Sequence, residues 1–190
     1  MSKRYPKYEF SLNSRGITDL SFEEKKAILR AADELIAAGG RSLLSKILKG
    51  AKDKNVLKHG LNNCPVYGFY KWLPLPEITK RVDWMIKNGY LEIEYAGRMP
   101  VIVFSKMGWE IERETIAEEL FQKLQRTLNS GDYSFVSELK DRNRGMILLL
   151  IEKIQNTDNP KFIPLLKAWQ AVDYKKVQAA LQRTIHSLST

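Results

Sequence analysis

The stretch "YLEIEYAGRMPVIVF", residues 90–104, constrains the fold of this chain more than any other. "YLEIEY" alternates at period two, "AGRM" supplies turn residues and "PVIVF" returns, which predicts a short hairpin from Tyr90 to Phe104. On either side of it, apolar residues recur at helical spacing. The expected fold is therefore mostly α with a small β-wing.

The helices before the hairpin carry their own start and stop signals. "SFEE", Ser21 to Glu24, is a capping box, and Ala27, Ile28, Ala31, Leu35 and Ile36 form one helical stripe that ends at Gly39-Gly40. A second short helix buries Leu43, Leu44, Ile47 and Leu48 and stops at Gly50. A third runs from about Asp53 to Lys58 and closes at Gly60. Pro65, Pro74 and Pro76 then punctuate "CPVYGFYKWLPLP". Pro76 opens a longer helix through about Asn88, with Ile78, Val82, Met85 and Ile86 on one face and Gly89 as its stop. Three helices, a longer fourth and a ribbon follow the order of a winged helix-turn-helix, in which the fourth element is often the reading helix and the ribbon the wing.

After Gly108 the pattern is helical only. Ile116, Leu120, Leu124 and Leu128 mark a long helix stopped by "NSGD". "RGMILLLIEKI" is nearly all apolar at its start, as expected of a helix sandwiched between neighbours. "NPKFIPLLKAWQ" and "DYKKVQAALQRTIHSL" give two more, each opening on an Asn or Asp cap. The last opening, Asp-X-X-Lys-Val, is similar to a HEAT repeat. Residues 1–16 are expected as a polar N-terminal arm, 17–112 as the winged helix and 113–190 as a small helical-hairpin or HEAT-like domain.

Charge narrows the function. The 190 residues carry a net charge of +9, which favours an anionic partner. The excess is uneven: residues 41–60 alone hold six Lys+Arg against one acid, Asp53. The longest apolar run, Met146 to Ile151, is far below the roughly 20 residues that cross a bilayer. Cys64 is the only cysteine and His59 and His186 the only histidines, so no metal-ligand spacing exists and Cys64 is expected as a small buried thiol. "EIERE" and "EE" on the long helix are expected to pair with basic neighbours at i, i+4 rather than act as an acid–base dyad. The expectation is no enzyme, no cofactor, no small-molecule substrate and no membrane anchor, in the cytoplasm and associated with the nucleoid.

Residues 41–112 carry a resemblance. Ile47, Leu48, Lys49, Gly50, Lys54, Gly60, Tyr67, Gly68, Gly89, Tyr90 and Leu91 match the run found in the winged-helix domain at the C-terminus of RecQ-type helicases, the RQC family. With its helical tail the whole chain resembles the small stand-alone bacterial proteins of that class, the RQC-minor proteins. The resemblance implies DNA binding in repair, recombination or replication. Two departures matter: Ala51 stands where the family often has a phosphate-contacting serine, and no Gly-X4-Gly-Lys-Ser/Thr loop or zinc cysteine set is present, so the chain by itself is read as no motor.

Three candidate contact regions follow. Lys46, Lys49, Lys52, Lys54 and Lys58 surround Gly50 at the junction of two short helices, where the second helix would offer free N–H groups and its positive dipole end to a phosphate. On the helix from Pro76, Lys80, Trp84 and Lys87 lie opposite the apolar face. Trp84 either stacks on a base or sugar or is covered by the C-terminal helices. At the wing tip, Arg98 contacts a minor groove or phosphate, and Lys71 sits beside the Tyr67-Gly68 motif. The expected ligand is duplex, end or junction DNA, held mainly through phosphates. The alternative is an adaptor or transcription regulator that recruits a protein partner through Phe162, Leu166 and Trp169, if these form an open groove beside Tyr174.

Overall fold

A computed structural model describes residues 11–189. The chain divides into two compact units at Glu112/Arg113. Any arm at residues 1–10 lies outside the described residues. Residues 11–13 are tied down: Asp83 accepts the Asn13 N–H at 2.7 Å, and the Ser11 carbonyl accepts from Arg41.

In the first unit, α1 (Phe22–Asp33) begins at the capping box. The Ser21 hydroxyl accepts the Glu24 N–H, and the Glu24 carboxylate accepts the Ser21 N–H at 2.9 Å. The helix ends at Asp33, before the Gly39-Gly40 stop expected of it. The intervening residues do something else. Ala37 N–H donates to the Ile102 carbonyl and Ile102 N–H to the Gly39 carbonyl, both at 2.9 Å, so this connection lies along the ribbon as a short third partner.

Next come α2 (Arg41–Lys49), α3 (Lys54–Lys58) and α4 (Leu75–Lys87). Leu44, Ile47 and Leu48 of α2 are fully buried, and α2 packs chiefly on α4. The Ser45 hydroxyl, also buried, donates to the Arg41 carbonyl and receives the Thr79 hydroxyl at 3.1 Å. Pro76 sits inside the first turn of α4 rather than opening it, since α4 starts at Leu75. Strands β1 (Leu91–Ala96) and β2 (Met99–Phe104) pair antiparallel from Leu91↔Phe104 to Ala96↔Met99, leaving Gly97 and Arg98 as the turn. Leu91, Val101 and Ile102 are buried while Glu92 and Glu94 are exposed. This is a winged helix. Cys64 is buried within it.

Helix α5 (Lys106–Thr127) begins at Ser105, whose hydroxyl accepts the Gly108 N–H at 3.0 Å and donates to the Tyr90 carbonyl. The approach is so close that a Cβ on Gly108 would collide with that carbonyl oxygen.

The second unit consists of the rest of α5 with α6 (Arg144–Gln155), α7 (Ile163–Val172) and α8 (Lys175–Ser187). Its core joins Leu124, Leu139, Leu150, Ile154, Leu165, Leu166 and Leu181 with Phe162 and Trp169. Asn143 caps α6 by accepting from Gly145 N–H at 2.9 Å. Three expectations are corrected here. Asp173 does not cap α8: Tyr174 takes that position, and Asp173 accepts the Trp169 indole N–H at 2.7 Å and the Tyr174 N–H at 2.6 Å. Phe162, Leu166 and Trp169 form no open groove, because all three are fully enclosed. The basic partner of Glu114 and Glu118 is Lys153 of α6, at 3.8 and 3.1 Å, not a residue of their own helix, along which Glu118 accepts only from the neutral Gln122 amide at 3.2 Å.

Candidate nucleic-acid interface

The turn after α2 is fixed by two glycines. Gly50 is left-handed, φ 72°, and its N–H returns to the Ile47 carbonyl, which ends the helix as a glycine at that position commonly does. The loop carrying Tyr67 and Gly68 then crosses the end of α2. Gly68 N–H donates to Ile47 and Tyr70 N–H to Leu48, at 2.9 and 2.8 Å. A Cβ on Gly50 would lie 2.9 Å from Gly68 Cα. The spaced Gly50 and Tyr67-Gly68 therefore answer one requirement, two backbones in contact.

This crossing reassigns Lys49. Its ammonium donates to the carbonyls of Lys71 and Leu73 at 2.7 and 2.8 Å, so it anchors the loop. Lys46 pairs with Asp53 at 2.8 Å. Asp53 also accepts the Asn55 N–H at 2.9 Å, and it is this carboxylate, not a phosphate, that occupies the start of α3. The Lys46 hydrogen bond, helped by the Asn55 N–H, holds the Asp53 carboxyl below its ordinary value. The expected open helix end is thus closed. Lys52, Lys54, Lys58 and Lys71 remain exposed and, among the described residues, form no ion pair or side-chain hydrogen bond.

Helix α4 differs most from expectation. Trp84 does not project outward: it is 7% exposed and packs into the first unit's own core. Its ring stacks on Tyr90 at 5.8 Å, and the Lys25 ammonium sits 5.2 Å over it. A neighbour six residues along the chain and a lysine of α1 cover what looked like a free face. Lys80 is half-buried and paired with Glu77 at 2.6 Å. Asp83, 2% exposed, is held by two contacts to Arg41 Nη1 at 2.8 and 2.9 Å. With Ile78, Val82 and Met85 inside as well, only Pro76 and Lys87 of α4 are exposed. The face expected to carry Lys80, Trp84 and Lys87 is therefore closed at its centre by Trp84, with Lys80 partly exposed and Lys87 exposed on either side of it.

A sequence model of the RQC domain matches residues 18–126, more than half of the chain. The chain belongs to the RQC domain family. It is also 25% identical over 105 residues to the ATP-dependent DNA helicase RecQ of Bacillus subtilis (strain 168), a match covering 55% of this chain and 17% of that one. The chain thus spans less than a fifth of that relative's length. No solved structure matches.

In this RQC unit the sequence reading missed Trp72. The ring is 67% exposed, next to Lys71 and one residue before Leu73, whose carbonyl Lys49 holds. A large exposed indole in a basic surface is costly to leave wet; its signal was the Lys71-Trp72 pair in a proline-bounded loop. Leu57, on α3 beside Lys58, is also half exposed. Arg98 is exposed in the wing turn with Met99 following it. Among the described residues, no group of three His, Cys, Asp or Glu is placed to hold a metal ion, and no helix is long and apolar enough to cross a membrane.

Proposed function

We propose that the RQC unit, taken as residues 17–112, binds DNA as duplex, end or junction, chiefly through its phosphates and without catalysis, and serves repair, recombination or replication. The observation that supports this most is that Lys52, Lys54, Lys58 and Lys71 are exposed and, among the described residues, form no ion pair, with Lys71 on the loop that Lys49 ties to the end of α2. Lysines on an exposed turn follow a phosphate chain as point charges and carry no base readout. Trp72 adds a ring face on which a terminal or unpaired base can stack, which favours ends and junctions over continuous duplex. The helicase relative supports the same reading. Lys46, Lys49, Lys80 and Trp84 serve the fold, and Lys87 and Arg98 are peripheral contacts.

The test is binding of a labelled hairpin duplex to the full chain across a salt series. Three phosphate contacts at about −0.9 each give a log–log slope contribution near −2.7. Replacing Lys52, Lys54 and Lys58 by Glu removes that contribution. Unchanged affinity and slope in the triple variant would refute the site.

A further inference from the structure

The second unit has a charged cleft of its own, which the winged helix does not account for. It encloses about 700 Å³ and is lined by Lys140, Arg142 and Arg144 from the turn into α6 and by Tyr174, Lys175 and Lys176 from the turn into α8. The cations come from two segments about thirty residues apart and converge on one concavity. Among the described residues, none of the five forms an ion pair. The cleft's one acid, Asp141, accepts the Tyr174 hydroxyl at 3.1 Å, and Lys140 Nζ lies 4.9 Å over the Tyr174 ring. Asp141 thereby fixes the ring, which stays 58% exposed.

Charge distribution sets this cleft apart from an ordinary solvated surface. Residues 113–190 hold 12 Lys+Arg and 9 Asp+Glu. Setting aside the five cations and Asp141 of the cleft leaves seven basic against eight acidic residues. The whole positive surplus of the second unit is gathered at one place.

We infer that this cleft is a second nucleic-acid site, which takes single-stranded phosphodiester chain with a base against Tyr174. Cations around an exposed ring are the pattern that holds unpaired strands: the charges track phosphates and the ring meets the flat face of a base. An acidic peptide would use the cations but has no comparable use for the ring. A rigid duplex presents its phosphates on a convex surface, whereas a flexible strand enters a concavity. This inference rests on the nucleic-acid reading of the chain, and it gives the molecule two contacts of different preference.

The experiment uses the full chain with two probes, labelled oligo-dT and a blunt hairpin duplex, across a salt series. The cleft variant is Arg142→Glu, Arg144→Glu, Lys176→Glu. Three single-strand contacts at about −0.7 each predict that its oligo-dT slope falls by about 2 and its low-salt affinity by roughly tenfold or more, with duplex affinity within about twofold of the parent. Oligonucleotide carrying 5-iododeoxyuridine should photocross-link to the peptide containing Tyr174, and Tyr174→Ala should abolish that product. Arg142→Gln, Arg144→Gln gives the same comparison if charge reversal disturbs folding. Oligo-dT binding that survives in the cleft variants, or cross-links confined to Trp72, overturns the cleft while leaving the winged-helix site standing. Poly-glutamate bound at the cleft in place of oligo-dT overturns it in favour of an acidic protein. A parent chain that binds neither probe removes both readings.

Discussion

Asp83 shows how one residue can withdraw charge from a surface. The carboxylate is buried and satisfied by Arg41 and by the Asn13 N–H, so the partly exposed Arg41, counted in the basic run 41–60, is committed to a buried acid. Removing one partner of such a pair leaves a buried charge and costs about 3–5 kcal/mol. Arg41→Met is therefore expected to lower unfolding free energy by that amount in urea titration, and Arg41→Met with Asp83→Leu to recover much of it. A surface arginine would cost less than about 1 kcal/mol, and a value in that range would show the pair to be incidental. Trp84 makes the same point. Helical spacing places it opposite Ile78 and Val82 correctly, yet spacing is silent about Tyr90 and Lys25, which close over it.

At the scale of elements, the α2–loop crossing depends on Gly50. Its left-handed backbone and its contact with Gly68 both exclude a Cβ. Gly50→Ala is expected to destabilise the first unit by about 2 kcal/mol or more, of which roughly 1–2 is the left-handed conformation alone. Thermal melts measure this, and a loss under about 0.5 kcal/mol would mean the loop simply shifts aside. Elements set by local pattern were legible in the sequence: the capping box at Ser21, the stop at Gly50, the alternation of β1 and the apolar stripe of α2. Features that need two distant segments were not. Lys49 reads as a contact until the loop at Lys71 and Leu73 is laid over it. The pairing of Ala37 and Gly39 with Ile102 has no local period to reveal it. The cleft at Arg142 and Lys176 joins turns whose charges look unremarkable when taken separately.

Across the whole molecule, stability should fall on the acid side. Burial opposes the Glu24 charge, but hydrogen bonds from the Ser21 backbone and hydroxyl and from Tyr70, with the Arg81 charge, hold its carboxyl below the ordinary 4.5. Hydrogen bonds from Lys46 to Asp53, Lys80 to Glu77 and Lys153 to Glu118 lower those carboxyls too. A depressed folded value means that the ionised form stabilises above the unfolded value and that this is lost as pH falls through the folded one. The melting temperature should therefore hold near neutrality and decline below about pH 4.5. Glu24→Gln should lower the neutral plateau and flatten part of that decline. Parallel curves for the two proteins would show that Glu24 contributes nothing.

The anchoring of Lys49 has a chemical consequence. An amine already donating to two carbonyls offers its lone pair slowly to an electrophile, so brief treatment with acetic anhydride should modify Lys52, Lys54, Lys58 and Lys71 well before Lys49. Peptide mass mapping over time gives that order directly. Once Lys49 does react, the acyl group removes the tether, and protease cutting around Tyr70 to Leu73 should accelerate only from that moment.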